Sequence, residues 1–265
     1  MAPMLDFPRY LEAKRSVDDR ALDQRVVDRL RRELEEMPTP ALLDVGCGTG
    51  IGVDRLLSWG VVSSPRVTAV DRNAELVAAA ENRLRARIGG TYVASTLETF
   101  AAEGRNREGF DLVVAHAVLD DVDLPDAIGH LLALTRPGGL LYCPITFDGE
   151  SIFEPADPDD QGVLTLYHAS MEQTGSPRTG RRLFEYLRDE DVEILSVGSS
   201  DWIVFADDGT YPAEEAFFLE AILSFVETAV GEPALEWAKR RRRQLADGSL
   251  VYIAHQLDFL VRKRG

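Results

Sequence analysis

Nine consecutive residues, Leu42-Leu43-Asp44-Val45-Gly46-Cys47-Gly48-Thr49-Gly50, constrain the fold more than any other stretch of the chain. Apolar β-formers and an acid run into a turn with glycine at every second position. Residues 51–59 follow with Ile51, Val53, Leu56, Leu57 and Trp59, the spacing of a helix. A buried strand that breaks into a glycine turn and then a helix is how a doubly wound α/β sheet builds a nucleotide site. Gly46, Gly48 and Gly50 let the backbone turn sharply and let a ligand lie against bare main chain.

The details of the turn separate two kinds of ligand. A dinucleotide loop spaces its glycines G-x-G-x-x-G and holds a pyrophosphate at the helix N-terminus. Here the spacing is G-x-G-x-G, with Asp44 two residues ahead of the first glycine. A carboxylate there repels a pyrophosphate and suits a ligand with a cationic amino group. The nonamer resembles the first motif of the class I S-adenosylmethionine-dependent methyltransferases. The resemblance implies an S-adenosyl-L-methionine site against Asp44, Gly46, Cys47, Gly48 and Gly50. Asp44 would help hold the methionine amino group, and S-adenosyl-L-homocysteine would be the product.

The next stretches continue the pattern. Arg66-Val67-Thr68-Ala69-Val70-Asp71 is a short strand ending in an acid, 27 residues after Asp44. An acid at that strand tip takes ribose hydroxyls; the resemblance carries the role onto Asp71, with Arg72 beside it. The alternative is a cap for the helix that starts near Asn73. A third strand ends at Ala94, and Thr96 and Leu97 fall where family members contact adenine. Family members often have an acid there; a threonine hydroxyl still accepts a hydrogen bond. Phe110-Asp111-Leu112-Val113-Val114-Ala115-His116 is a fourth strand. In the family its end faces the transferable methyl, which places Ala115 and His116 at the cofactor. His116 stands where DNA amino-methyltransferases carry an Asn/Asp-Pro-Pro-aromatic motif, so amino groups of DNA bases are not the expected acceptors. It reads as a general base or as a packing residue. Asp120, Asp121 and Asp123 read as helix N-terminal acids, with a metal on an oxygen-rich substrate as the alternative. Arg136-Pro137-Gly138-Gly139 is a turn into a fifth strand over residues 140–145.

The expected fold is a doubly wound, seven-stranded Rossmann-like α/β methyltransferase fold with an antiparallel last strand and helical lid insertions. It is expected as a single domain over 1–265. Residues 1–37 form an N-terminal helical cap and 40–145 the cofactor core. Residues 146–182 and 206–248 are lid insertions, and 250–262 the last strand. From Thr146 the pattern loosens, and residues 148–162 read as an acidic loop. In the cap, Tyr10, Lys14 and Arg20 reach the cofactor carboxylate or the substrate, or form an exposed helix with intrahelical ion pairs. In the first insertion Tyr167, His168 and Arg178 are candidate substrate residues, with His168 a second candidate base; surface loop residues are the alternative. His255 reads as a sheet residue.

A net charge of −16 repels nucleic acid and anionic membranes. The basic run at residues 240–243 sits in a helical pattern and reads as a solvated face. The expected partner is a small-molecule acceptor, without nucleic acid or membrane, in a monomer or homodimer. The two cysteines make no metal spacing, and no metal is expected. There is no charged-then-apolar leader pattern, and the expected location is the cytoplasm. Methyl transfer by in-line displacement is the leading function. A methyltransferase acting on protein or RNA, a non-catalytic cofactor-binding protein, and a dehydrogenase on the same fold are the alternatives.

Overall fold

Strands of this chain alternate two apolar faces, and the sheet they form is covered on both sides. In the computed structural model, residues 6–104 and 108–265 are described. Two helices, α1 (Phe7–Ala21) and α2 (Gln24–Leu34), precede the sheet. Then β1 (Ala41–Val45), α3 (Ile51–Ser58), β2 (Arg66–Asp71), α4 (Ala74–Leu84), β3 (Gly90–Ala94), α5 (Leu97–Ala102) and β4 (Phe110–Ala115) alternate. A 3₁₀ turn at Leu119–Asp121 leads to α6 (Leu124–Leu134) and β5 (Thr135–Glu154). The rest comprises α7 (Asp160–Met171), α8 (Thr179–Arg188), β6 (Val192–Ser199), β7 (Trp202–Val204), α9 (Glu215–Val230), α10 (Leu235–Ala246) and β8 (Val251–Lys263).

The sheet order is β3-β2-β1-β4-β5-β8-β6, with β7 also beside β8. The first five strands in that order are parallel; β8 runs antiparallel to β5, β6 and β7. This is the expected Rossmann-like methyltransferase fold, extended by the short strand β7. Side chains alternate as a pleated strand requires. Leu42, Leu112, Val114, Leu140 and Leu260 pack under α2, α3 and α4, while Leu43, Val113, Leu141, Phe259 and Val261 pack under α5, α6 and α8. A third apolar cluster joins α1, α7, α9 and α10 to the far end of β8, around Tyr10, Phe153, Trp202, Phe218, Trp237 and Tyr252. Among the described residues no helix is long and apolar enough to cross a membrane.

The structure corrects several local expectations. Residues 148–154 are not loop: β5 continues through them, and Ser151–Glu154 pair with Val251–Ala254 of β8. Asp148, Gly149 and Glu150 disguise the strand because they occupy a register break between Phe147 and Ser151, with Gly149 at φ +84°. The Arg136-Pro137-Gly138-Gly139 turn likewise sits inside β5, as a register shift between its pairs with Phe110 and Leu112. The segment around Val163 is a full helix, α7, whose buried face is narrow.

Helix starts follow side-chain capping. Asp23 caps α2 and Asn73 caps α4, each accepting first-turn N–H groups. Asp123 caps α6, with Pro125 in its first turn. Asp123 is therefore a cap, and Asp120 and Asp121 lie in the turn before it.

Candidate cofactor and active site

Each element of the glycine-loop half ends at the same edge of the sheet, and their tips enclose a cleft of about 580 Å³. Its floor is Asp44, Gly46, Cys47 and Gly48, between β1 and α3. One side is Asp71, Arg72, Thr96 and Leu97, and the other is His116, Ala117 and Val118 after β4. Helix α1 closes the top with Phe7, Leu11, Lys14 and Asp18.

The loop geometry explains its glycines. Gly46, Gly48 and Gly50 have φ of +65°, +51° and +80°, a region that costs a side chain strain. A Cβ on Gly46 would also lie 2.4 Å from Val118 Cγ2. Gly50 is pressed on α4, where a Cβ would approach Ala80 Cα to 3.1 Å. Gly50→Ala is thus expected to lower stability by about 1–3 kcal/mol through strain and overpacking, read as a lowered thermal midpoint.

Asp44 is buried, and its Oδ2 has no hydrogen-bond partner. Burial, then the nearby Asp71, push its pKa up to about 7, against the pull of Arg55. A buried carboxylate with an unmatched oxygen calls for a cation. Asp71 uses each oxygen once: Oδ2 accepts from Gly48 N at 3.0 Å and Oδ1 from Asn73 N at 2.9 Å. That fixes the carboxylate at the cleft wall with further lone pairs available for hydroxyls. The Cys47 thiol is pushed far up, by burial and then by Asp44 and Asp71, and is not a nucleophile here.

His116 belongs to a buried polar hub. Its Nε2 lies 3.0 Å from Asp18 Oδ2, and its Nδ1 3.4 Å from Arg55 Nη1. A guanidinium only donates, so Nδ1 accepts and Nε2–H donates to Asp18. Burial lowers the imidazole pKa to about 4 against the pull of Asp18, so His116 is neutral at pH 7. Asp18 also accepts from Trp202 Nε1 at 2.9 Å and pairs with Lys14 at 3.3 Å. Although burial opposes it, Lys14, His116 and Arg55 hold Asp18 well below the usual carboxylate range.

The structure brings Asp44, Gly46, Cys47, Gly48, Asp71, Arg72, Thr96, Leu97 and His116 into one cleft. Thr96 also caps α5, accepting from Thr99 N at 3.3 Å. The remaining candidates lie elsewhere. Gly50 and Ala115 support the loop and the strand from behind. Tyr10 is buried against Phe218 and Phe225, 5.9 and 5.1 Å between ring centroids. Arg20 pairs with Glu215 across α1 and α9. His168 sits 3.3 Å from Ser151 Oγ and against Phe147. Tyr167 packs into the lid cluster. Arg178 precedes α8, and Gly149 approaches its side chain. None of these five side chains (Tyr10, Arg20, Tyr167, His168, Arg178) lines the cleft. His255 pairs with Asp201 at 2.7 Å, from β8.

Two cleft residues, Asp18 and Arg55, escape the reading of motifs. Each is a charged residue set in an apolar helical stripe, beside Val17 and between Val53 and Leu56, and that placement is the signal the sequence offers.

Comparison with known proteins agrees with this geometry. Residues 43–141 match the family model of a methyltransferase domain. The malonyl-[acyl-carrier protein] O-methyltransferase of Halalkalibacterium halodurans is 29% identical over 135 residues, 50% of this chain and 48% of that one. The ubiquinone biosynthesis O-methyltransferase of Vibrio vulnificus is 37% identical over 105 residues, 38% of this chain and 41% of that one. The match spans about half the length of these curated relatives, or less. Among solved structures, the cyclopropane synthase MmaA2 from Mycobacterium tuberculosis shares the fold, with a TM-score of 0.53, 15% identity, and coverage of 89% of this chain and 82% of that one.

Fold, glycine loop and family-model match agree on a methyltransferase domain over residues 43–141. The residues present fit S-adenosylmethionine: an unmatched buried carboxylate at the glycine loop and a fixed acid at the second strand tip.

Proposed function

We propose that this protein transfers the methyl group of S-adenosylmethionine to an oxygen of a small-molecule acceptor. The observation that carries the reading is Asp44 Oδ2, a buried oxygen without a partner beside three glycines at positive φ. Asp44 holds the α-ammonium of the cofactor, Asp71 the ribose hydroxyls, and Leu97 the adenine face. The cofactor supplies a methyl already activated by its sulfonium. The chain's own task is to exclude water and hold the acceptor in line, and such positioning contributes about 7–11 kcal/mol.

Helix α1 across the cleft and the lid cluster of α7, α9 and α10 favour an enclosed small acceptor. The basic run supports the same reading, because three of its four arginines are paired with acids of the chain itself. Arg240 pairs with Asp157 and Asp159, Arg241 with Asp160, and Arg242 with Glu220 and Glu227. Both relatives carry the name of O-methyltransferases. Both nitrogens of His116 are engaged, and His168 lies off the cleft. We therefore read the acceptor as one that arrives ionised, a carboxylate or an acidic phenol, and His116 as a wall residue.

Two results check this. His116→Asn is expected to lower kcat by less than about tenfold, where a general base would cost about 10²–10⁴-fold. Asp71→Ala is expected to weaken S-adenosylhomocysteine binding by about tenfold or more, as two hydroxyl contacts to a charged group are lost. Unchanged affinity would remove Asp71 from the ribose site. The decisive assay incubates the protein with methyl-labelled S-adenosylmethionine and a panel of small carboxylic acids and phenols. Label in a small organic product supports the reading. Label only in added protein or RNA, or cofactor binding without turnover on any acceptor class, contradicts it.

A further inference from the structure

A second unmatched charge lies in the same cleft as Asp44, with the opposite sign. Arg55, on α3, is 2% exposed. Its Nε is held by Asp19 at 2.5 Å and its Nη1 faces His116. Its Nη2 is buried with no hydrogen-bond partner; Asp18 Oδ2, at 3.8 Å, is an ion-pair neighbour beyond hydrogen-bond reach. Arg55 lines the cleft as Asp44 does. Gly52 connects them: a Cβ there would sit 3.7 Å from Asp44 Oδ2, and Arg55 follows three residues on, on the same face of α3.

A buried donor and a buried acceptor of opposite charge, both unmatched, at one end of a cleft are costly unless a ligand matches both. An α-amino acid does so, because its ammonium and carboxylate sit on one carbon. We propose that Arg55 Nη2 binds the α-carboxylate of the cofactor's methionine moiety while Asp44 Oδ2 takes its α-ammonium, so that the pair reads the zwitterion. This rests on the cofactor reading above and adds a residue to it. Lys14 is the competing cation. Its ammonium already sits 3.3 Å from Asp18 Oδ2 and 5.2 Å from the Trp202 ring centroid. Arg55 contributes a planar fork with one prong free, which suits a carboxylate.

The test compares ligands rather than rates. S-adenosylhomocysteine and its decarboxylated analogue, 5′-deoxy-5′-(3-aminopropylthio)adenosine, are titrated calorimetrically into the parent, Arg55→Gln, Arg55→Lys and Lys14→Gln. The parent is expected to prefer S-adenosylhomocysteine by about 30-fold, the size of a lost buried charge pair. Arg55→Gln is expected to bind the two within about threefold of each other, with the analogue bound as in the parent. Retained analogue binding shows that the variant is folded. Arg55→Lys keeps part of the preference, and Lys14→Gln keeps it all. A preference retained in Arg55→Gln, or lost in Lys14→Gln instead, overturns the assignment while leaving the cofactor in place. A parent that binds neither ligand removes the cofactor reading and this inference with it.

Discussion

Asp44→Asn is expected to weaken S-adenosylhomocysteine binding by about 30-fold or more while leaving the unliganded protein as stable as the parent, or more stable. The binding loss follows from removing the charge that answers the α-ammonium in a buried setting. The stability gain follows from linkage. The folded-state pKa of Asp44 is raised from 3.8 to about 7. Its ionisation therefore costs the fold progressively as pH rises from about 4 through about 7, at about 1.4 kcal/mol for each pH step of one. Asparagine removes that cost, so the advantage of the variant grows over this window and is constant above it. Binding runs the other way. The ammonium prefers the ionised carboxylate, so parent affinity falls about tenfold for each such step below about pH 7, and the variant shows no such dependence. Calorimetry between pH 6 and 8, beside thermal unfolding without ligand, checks both halves. Equal affinity of parent and variant at pH 8 would sink the Asp44 assignment.

Arg241→Met is expected to destabilise the protein by about 3–5 kcal/mol, the usual result of stranding one partner of a buried ion pair. Arg241 is fully buried. Nη1 donates to Pro155 O at 2.6 Å and to Gln244 Oε1 at 2.8 Å, and Nη2 pairs with Asp160. The guanidinium carbon lies 5.6 Å from the ring centroids of both Phe153 and Trp237. Trp237 Nε1 also donates to Asp160, at 2.7 Å. One side chain thus ties α10 to the end of β5 and the start of α7. For a chain of this size the loss corresponds to a fall in thermal midpoint on the order of 10 °C. Adding Asp160→Asn is expected to recover part of it, because the stranded charge is then gone. A midpoint within about 2 °C of the parent would show that the aromatic packing alone holds this joint.

These residues mark where the sequence is readable and where it is not. Asp44, Gly46, Gly48, Asp71, Thr96, Leu97 and His116 reach one cleft because strand, turn and helix are local. The fold puts every parallel strand tip on the same edge, so a position in the motif is a position in space. The lid has no such rule. Tyr10, Ala13 and Val17 recur at helical spacing and announce a buried face, yet only the tertiary structure shows that the face meets α9 rather than the cofactor. Arg20 finds its partner in Glu215, 195 positions away. The extension of β5 is hidden because its register breaks fall on an acid-glycine-acid run, which in isolation is a loop signal. Arg55 is hidden because a buried arginine is rare, and its reason lies in the cleft rather than in its helix.

The most direct test of the central claim is titration of the purified protein with S-adenosylhomocysteine, beside S-adenosylmethionine and NAD. The account predicts micromolar binding of the first two and none of NAD. Binding of NAD alone would contradict it, returning the glycine turn to a dinucleotide and leaving Asp44 without its cation.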